Sequence, residues 1–466
     1  MTPEPPRTYR ILRALVRGML RTFFREIAVE GREHVPRDGG GLLVAWHPNG
    51  VIDPGIILAA FPRQVVFGAR DGLLRWPLVG WLFRALGTVP IYRAGDHAGD
   101  DESARREANA RSLDALAEAV ASGSFSALFP EGQSHNEPHV TGVRSGAARL
   151  YLRAKELGAK VPAIVPVGLH YDAKSVFRSD VLVVFHPPLK VPPEASVPEI
   201  SARIEESLTR VVHATDDWDL HRTMLRASAL VRAEQTARKG DPADRAPFST
   251  RRSDFEQMWL GYHARRETHP DEIEALRREV AAYRRKLALL QMDDADLDKP
   301  PRSAPAQVAV TALLGALAYV FLRPLFLIGL LVNAPPYYAL KPVAKRLARD
   351  EKDQATIKLL GGFVLFPLAW ITVSLLAVAG LAPLREIAPW VPDAPLAIGL
   401  GAFLLSVIGG VVALRSAELT LETWQVVRAR RMRRRRPEVI ADLRRQRSDL
   451  TDRLLAMAEG LEEVRV

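Results

Sequence analysis

Short apolar runs bounded by turn residues alternate with longer amphipathic stretches over residues 29–193. Strands are predicted over 42–45, 65–67, 89–92, 126–129, 163–168 and 181–185. Helical periodicity marks 102–122, with Leu113, Leu116 and Val120 on one face, and 146–157. Strand–helix alternation predicts an α/β domain, a largely parallel sheet flanked by helices. Before it, Arg7, Arg10, Arg13, Arg17, Arg21 and Arg25 recur every three or four positions among apolar residues, so 1–28 reads as an amphipathic basic helix. Such a helix either lies in the interface of an anionic bilayer or docks on the next domain, and the two are compatible.

The pattern changes after residue 193. Residues 194–303 form a charged helical region with a break at 239–247 and a short heptad seam of Ile273, Leu276, Val280, Tyr283, Leu287 and Leu290. A second seam, Ile440, Leu443, Leu450, Leu454, Met457, Leu461 and Val464, is interrupted by Arg447. The seams can pair with each other or across a homodimer, but packing of each on its own domain is the favoured expectation. Residues 359–381 and 396–414 carry no charge and meet the roughly 20-residue requirement for a transmembrane helix. Residues 304–340 are also apolar, with Arg323-Pro324 in the middle. A proline removes a helix donor and a mid-bilayer arginine is costly, so this segment is expected to be bent or re-entrant. Residues 415–466 are a basic helical tail.

Composition sharpens this picture. The chain has 466 residues, is 48% hydrophobic, and has 64 Lys plus Arg against 54 Asp plus Glu, a net +10. A basic balance suits nucleic acid or an anionic membrane surface, and the long apolar runs favour the membrane. The absence of cysteine excludes disulfides and a cysteine acyl-enzyme. No signal peptide is evident at the N-terminus.

The chemistry gathers at four stretches. In Ala45-Trp46-His47-Pro48-Asn49-Gly50-Val51-Ile52-Asp53-Pro54, a histidine leaves a buried strand and an aspartate follows six positions on. That is a plausible base with its orienting acid, although a lone His near an Asp is more often structural. The others are Gly87-Thr88-Val89-Pro90-Ile91-Tyr92-Arg93, Phe129-Pro130-Glu131-Gly132-Gln133-Ser134-His135 and Val161-Pro162-Ala163-Ile164-Val165-Pro166-Val167-Gly168. In this order they resemble the motifs of the PlsC-like glycerolipid acyltransferases, over about residues 27–193. The spacing from His47 to Asp53 is H-x5-D, one residue longer than the family's common H-x4-D. The H-P-N-x-x-x-D-P form resembles the yeast-type glycerol-3-phosphate acyltransferase branch. Gly50 is placed to absorb the extra residue, because glycine reaches backbone conformations closed to others. The longer spacing makes contact between Asp53 and His47 the less secure expectation.

The resemblance implies acyl transfer from acyl-CoA or acyl-carrier protein to glycerol 3-phosphate or its lyso product, with His47 as base and Asp53 as its orienter. It implies that Arg93 and Arg144 bind phosphate, that Glu131 holds its loop or binds glycerol, and that Gly132 and Ser134 line the acceptor site. Asn49, Gly50 and His135 are further pocket candidates. No spacing involving His135 or His139 matches a metal site, and a thiolate leaves without metal help, so no metal or other cofactor is expected. Ser134 lacks a nucleophile elbow. The competing readings are acylation of another lysolipid and a non-catalytic membrane scaffold. Anionic lipid is an expected partner and nucleic acid is not. The loop between 359–381 and 396–414 contains Arg385 alone, whereas both flanks are rich in Lys and Arg. Basic loops are cytoplasmic, so the chain is expected in the cytoplasmic membrane, with catalytic domain and tail facing the cytoplasm.

Overall fold

The computed structural model describes residues 5–75, 77–92, 102–240, 246–298, 305–348 and 350–458. The chain divides into two units, Met1–His221 with Ala348–Leu359, and Arg222–Leu347 with Leu360–Val466.

The first unit contains helices α1 (Arg7–Phe23), α2 (Ile52–Ala60), α3 (Asp71–Leu74), α4 (Pro77–Ala85), α5 (Glu102–Ala121), α6 (Gly146–Leu157) and α7 (Val197–Val212). Its strands are β1 (Glu26–Glu30), β2 (Gly41–Ala45), β3 (Val65–Arg70), β4 (Val89–Ile91), β5 (Phe125–Leu128), β6 (Ala163–Tyr171) and β7 (Asp180–Phe185). Among the described residues these strands form one sheet in the order β1-β7-β6-β2-β5-β3-β4. Strands β2 to β6 are mutually parallel; β7 runs antiparallel to β6 and carries β1 parallel to itself. The largely parallel sheet is thus as the alternation predicts. Central β2 is buried on both faces, which its unbroken apolar sequence requires. Leu43 and Ala45 join a core with Phe61, Val165, Val167 and Phe185, while Leu42 and Val44 join another with Leu116, Ala148 and Ile204.

The N-terminal helix is shorter than 1–28: α1 ends at Phe23, and 26–30 is a strand. The Glu-Ile-Ala-Val-Glu sequence has period two and β-branched residues, and Arg25 fixes the transition by pairing with Asp180 at 2.5 Å. Helix α1 docks through Tyr9, Leu12, Leu20 and Phe23. Arg13 donates to the Phe61 carbonyl, and Arg17 to the Ala59 carbonyl. Both satisfy carbonyls at the negative end of α2. Arg7, Arg10, Ile11, Leu15 and Arg21 remain exposed.

The helix α8 (Trp218–Lys239) begins in the first unit and continues in the second. There follow α9 (Phe248–Arg265), α10 (Pro270–Leu290), α11 (Pro305–Leu347), α12 (Glu351–Ala379), α13 (Leu381–Ile387), α14 (Pro395–Arg435) and α15 (Pro437–Ala458). The heptad seams meet each other instead of packing separately: Leu276, Val280, Tyr283 and Leu287 of α10 share a core with Ile440, Leu443, Leu450 and Leu454 of α15. Arg447, the interruption in the second seam, is 1% exposed. It donates to Glu234 at 2.8 Å and to the Asp294 carbonyl at 2.8 Å, and pairs with Asp298 at 2.7 Å. Three acceptors compensate its burial, so the polar residue locks the seam.

Residues 305–347 form one continuous helix and not a hairpin broken at Arg323-Pro324. The helix carries four prolines, Pro324, Pro335, Pro336 and Pro342, of which Pro336 is buried and the others exposed. Gly329 and Gly409 bring the α11 and α14 backbones together: a Cβ on Gly329 would lie 1.9 Å from the Gly409 carbonyl oxygen. Asn333 donates to the Ser406 carbonyl at 3.1 Å and accepts from Trp370 Nε1 at 2.9 Å, joining α11, α14 and α12. Within α12 and α14, residues 353–379 and 395–435 are long and apolar enough to cross a membrane, and they carry exposed Leu375, Leu376, Leu400 and Val411.

Candidate active site

The parallel strands deliver their following loops to one edge of the sheet, where chain order reverses around β2: its neighbours are β5 and β6. Such carboxyl-end crevices are the usual ligand sites of open parallel sheets. His47 follows closely on the end of β2. Gly50 takes φ +53°, a left-handed conformation favourable to glycine. Ile52 and Asp53 then donate backbone N–H groups to the Asn49 and Gly50 carbonyls. This turn places Asp53 in the first turn of α2, with its carboxylate directed back to the loop.

Despite the longer spacing, the structure brings the pair together: His47 Nδ1 lies 2.8 Å from Asp53 Oδ2. A carboxylate only accepts, so Nδ1 carries the proton. The Asp53 side chain is fully buried. Asn49 N–H donates to the same Oδ2 at 2.7 Å, and the Tyr171 hydroxyl donates to Oδ1 at 2.5 Å. Burial, and then the charge of Asp53, push the Tyr171 phenol well above its usual range and keep the donor protonated. The His47 ring stacks on Phe129, with centroids 4.1 Å apart and planes at 16°. These contacts fix the imidazole plane and, among the described residues, leave Nε2 without a hydrogen-bond partner.

The loop after β5 is built around Glu131. Its Oε2 accepts from His47 N–H at 2.9 Å, while Oε1 accepts from His135 Nε2 at 2.6 Å and Thr141 N–H at 3.0 Å. In return, His135 N–H donates to the His47 carbonyl at 3.1 Å. The two loops are therefore cross-linked in both directions. Of the two roles implied for Glu131, the geometry is that of holding the loop, since its carboxylate is fully buried and occupied. His135 is buried behind it and accepts Glu137 N–H at Nδ1. Asn49 is also buried, donating to the Lys174 carbonyl at 3.1 Å.

Gly132 takes φ +77°, and a Cβ there would meet the Arg144 side chain at 3.0 Å. Arg144 is exposed, and its backbone N–H is held by the Pro130 carbonyl at 2.9 Å. Among the described residues its guanidinium has no carboxylate partner, which leaves a cation available beside the glycine. Ser134 is half-exposed on the same loop. Arg93 lies outside the described residues. The strand end before it is fixed by Asn109, whose side chain bonds the Tyr92 N–H at 3.0 Å and its carbonyl at 2.8 Å. The His47 and Asn49 N–H groups are both taken by carboxylates and so are not free to bind an oxyanion.

Sequence reasoning missed Tyr171 and Lys174. Lys174 Nζ donates to the Pro48 carbonyl at 3.1 Å and to the Asn136 side chain, and lies 5.6 Å from the centre of the Trp218 ring. The sign of Tyr171 was the period of two: Val165, Val167, Leu169 and Tyr171 share one face, beyond the predicted strand end at 168.

Residues 26–170 match the protein-family model Acyltransferase. The chain is 23% identical to Glycerol-3-phosphate O-acyltransferase 2 of Saccharomyces cerevisiae over 57% of its own length and 38% of that protein. It is 20% identical to Glycerol-3-phosphate O-acyltransferase 1 of the same yeast, over 98% of this chain and 72% of the relative. It is 29% identical to Lyso-ornithine lipid O-acyltransferase of Rhodobacter capsulatus, over 39% of this chain and 68% of the relative. The match to the first of these thus spans well under half of that relative's length.

Proposed function

We propose that the protein is a membrane-bound O-acyltransferase of glycerolipid synthesis, a reading supported by the match of residues 26–170 to the Acyltransferase family model. It moves a fatty acyl group from the thioester of acyl-CoA or acyl-carrier protein to a hydroxyl of glycerol 3-phosphate or lysophosphatidate. The observation that carries the reading is the His47–Asp53 contact at 2.8 Å with Nε2 left for substrate.

In this mechanism Nε2 takes the hydroxyl proton as the oxygen attacks the thioester carbonyl. Such general-base assistance contributes about 10²–10⁴-fold. Asp53 stabilises the imidazolium that forms. The tetrahedral oxyanion collapses, the carbon–sulfur bond breaks, and the imidazolium proton goes to the departing thiolate. A thiolate is a good leaving group, so the steps require no metal or other cofactor. Arg144, with Arg93, holds the acceptor phosphate, for which a guanidinium fork is suited. A second reading, acylation of another lysolipid, is supported by the similarity to the lyso-ornithine lipid enzyme.

The membrane arrangement we propose is a hairpin of α12 and α14 with both ends in the cytoplasm. Its outer loop carries Arg385, and basic residues such as Lys345 and Arg430–Arg436 flank it. Anionic lipid binds the exposed arginines of α1 and of the end of α14. The test of function is purified protein with acyl-CoA or acyl-carrier protein, a panel of glycerol phosphate, lysophosphatidate and phosphate-free lysolipid acceptors, and thiol release as readout. Release with a phosphorylated glycerol acceptor is expected; thiol release with none of the acceptors would overturn the reading.

A further inference from the structure

We propose that Tyr171 is a positioning residue of the reaction, setting through Asp53 the pH at which the Asp53–His47 pair takes up its proton. This rests on the reading of His47 as the base. Tyr171 lies one residue beyond the matched domain range and outside the four motif stretches. It ends β6, the strand beside β2, and its ring packs against Phe24 with centroids 6.0 Å apart. Its hydroxyl serves Asp53 Oδ1, whereas Oδ2 takes both Asn49 N–H and His47. The carboxylate is fully buried.

The pair is active as a carboxylate beside a neutral imidazole and inactive once it has gained a proton. Before protonation, the full negative charge rests on the two carboxylate oxygens. Afterwards, that charge is shared with an imidazolium or cancelled by the proton. A donor on Oδ1 therefore stabilises the active form more than the protonated one. This holds whether the added proton resides mainly on His47 or on Asp53. Removing the phenol hydroxyl raises the proton affinity of the pair and carries the acid limb of activity to higher pH. It also frees the carboxylate to rotate, which loosens the imidazole plane.

The experiment compares the full-length wild-type protein with Tyr171→Phe and with 3-fluorotyrosine placed at position 171. Thiol release is followed against pH, using acyl-CoA and glycerol 3-phosphate, or whichever acceptor is active in the panel. For Tyr171→Phe we expect the acid limb of kcat/KM to rise by about one pH unit, the order of shift one altered hydrogen bond to a carboxylate produces. Turnover at neutral pH should fall about tenfold, much of the loss returning at higher pH, with little change in either KM. Fluorotyrosine, a stronger acid, should move the limb downward, and it decides the matter if the phenylalanine variant fails to fold. A merely structural role predicts a loss of equal size at every pH. His47→Ala serves as the reference: if it stays active, the reading of the base falls and this proposal with it. If it is inactive and neither change at 171 moves the limb, the Tyr171 proposal alone is overturned.

Discussion

Replacing Glu131 by glutamine tests whether this residue supports the site or binds substrate. The carboxylate accepts from three donors: His47 N–H, His135 Nε2 and Thr141 N–H. An amide cannot accept at both ends. Whichever way the new side chain turns, its NH2 faces His47 N–H or the other two donors. The loss of one charge-assisted bond costs about 1.5–3 kcal/mol, and a stranded buried N–H about 1–3 kcal/mol more. Together these come to roughly 4 kcal/mol, against a typical domain stability of about 5–15 kcal/mol. For a unit of this size, each kcal/mol lowers the melting temperature by about 2–4 °C, so a drop of about 8–16 °C is expected. The cost falls beside His47, and a displacement of about 1 Å in a reacting group is worth roughly 100-fold in rate. Thermal unfolding of Glu131→Gln in detergent, followed by kcat and both KM values below the transition, is the assay. The expected result is a lowered melting temperature and a lowered kcat at nearly unchanged KM. An unchanged melting temperature with a raised acceptor KM would falsify the supporting role and make Glu131 a substrate ligand.

Arg144→Ala should raise KM for a phosphorylated acceptor about tenfold or more while leaving KM for the acyl donor nearly constant; equal changes in both would indicate a structural arginine. Arg447→Met removes the buried cation of Glu234 and Asp298, which keep Arg238 and Arg444, and should destabilise the α10–α15 packing by about 1.5–3 kcal/mol, seen as faster amide exchange in α15; unchanged protection would show that the apolar seam suffices. Single cysteines at exposed Lys345, Arg385 and Arg445 should label from the cytoplasmic, external and cytoplasmic sides in turn, and labelling of all three from one side would refute the hairpin.

The strands were legible because β2, β5 and β6 are buried on both faces and so are largely apolar, Ser126 and His170 being exceptions. The site loops were legible because strand ends, glycines and charged residues coincide there. β1 was hidden because the arginine spacing of α1 runs into it, although Ile27 and Val29 carry its period of two. The His47–Asp53 contact was uncertain from spacing alone, since it depends on a left-handed Gly50 that shortens the path. Tyr171 was invisible as a site residue because its partner is 118 positions away, and only the pairing of β6 with β2 brings them together. The roles of Glu131 and His135 required the structure as well, because a carboxylate that binds substrate and one that binds backbone look alike in a motif.

The short segment Ala348–Leu359 has a consequence for how the chain folds. It belongs to the first unit although more than a hundred residues of the second precede it. Ala355 is fully buried in the sheet core, Leu359 packs against that core, and Lys358 donates to the Ser175 carbonyl at 2.7 Å. Domains fold largely as units while the chain is being synthesised, but this one lacks part of its interior until residue 359 has left the ribosome. By then all of α11 and the first turns of α12 have emerged. Completion of the first unit therefore waits on synthesis of α11 and the start of α12. A fragment cut at residue 221 to obtain the catalytic unit alone would carry an open apolar gap.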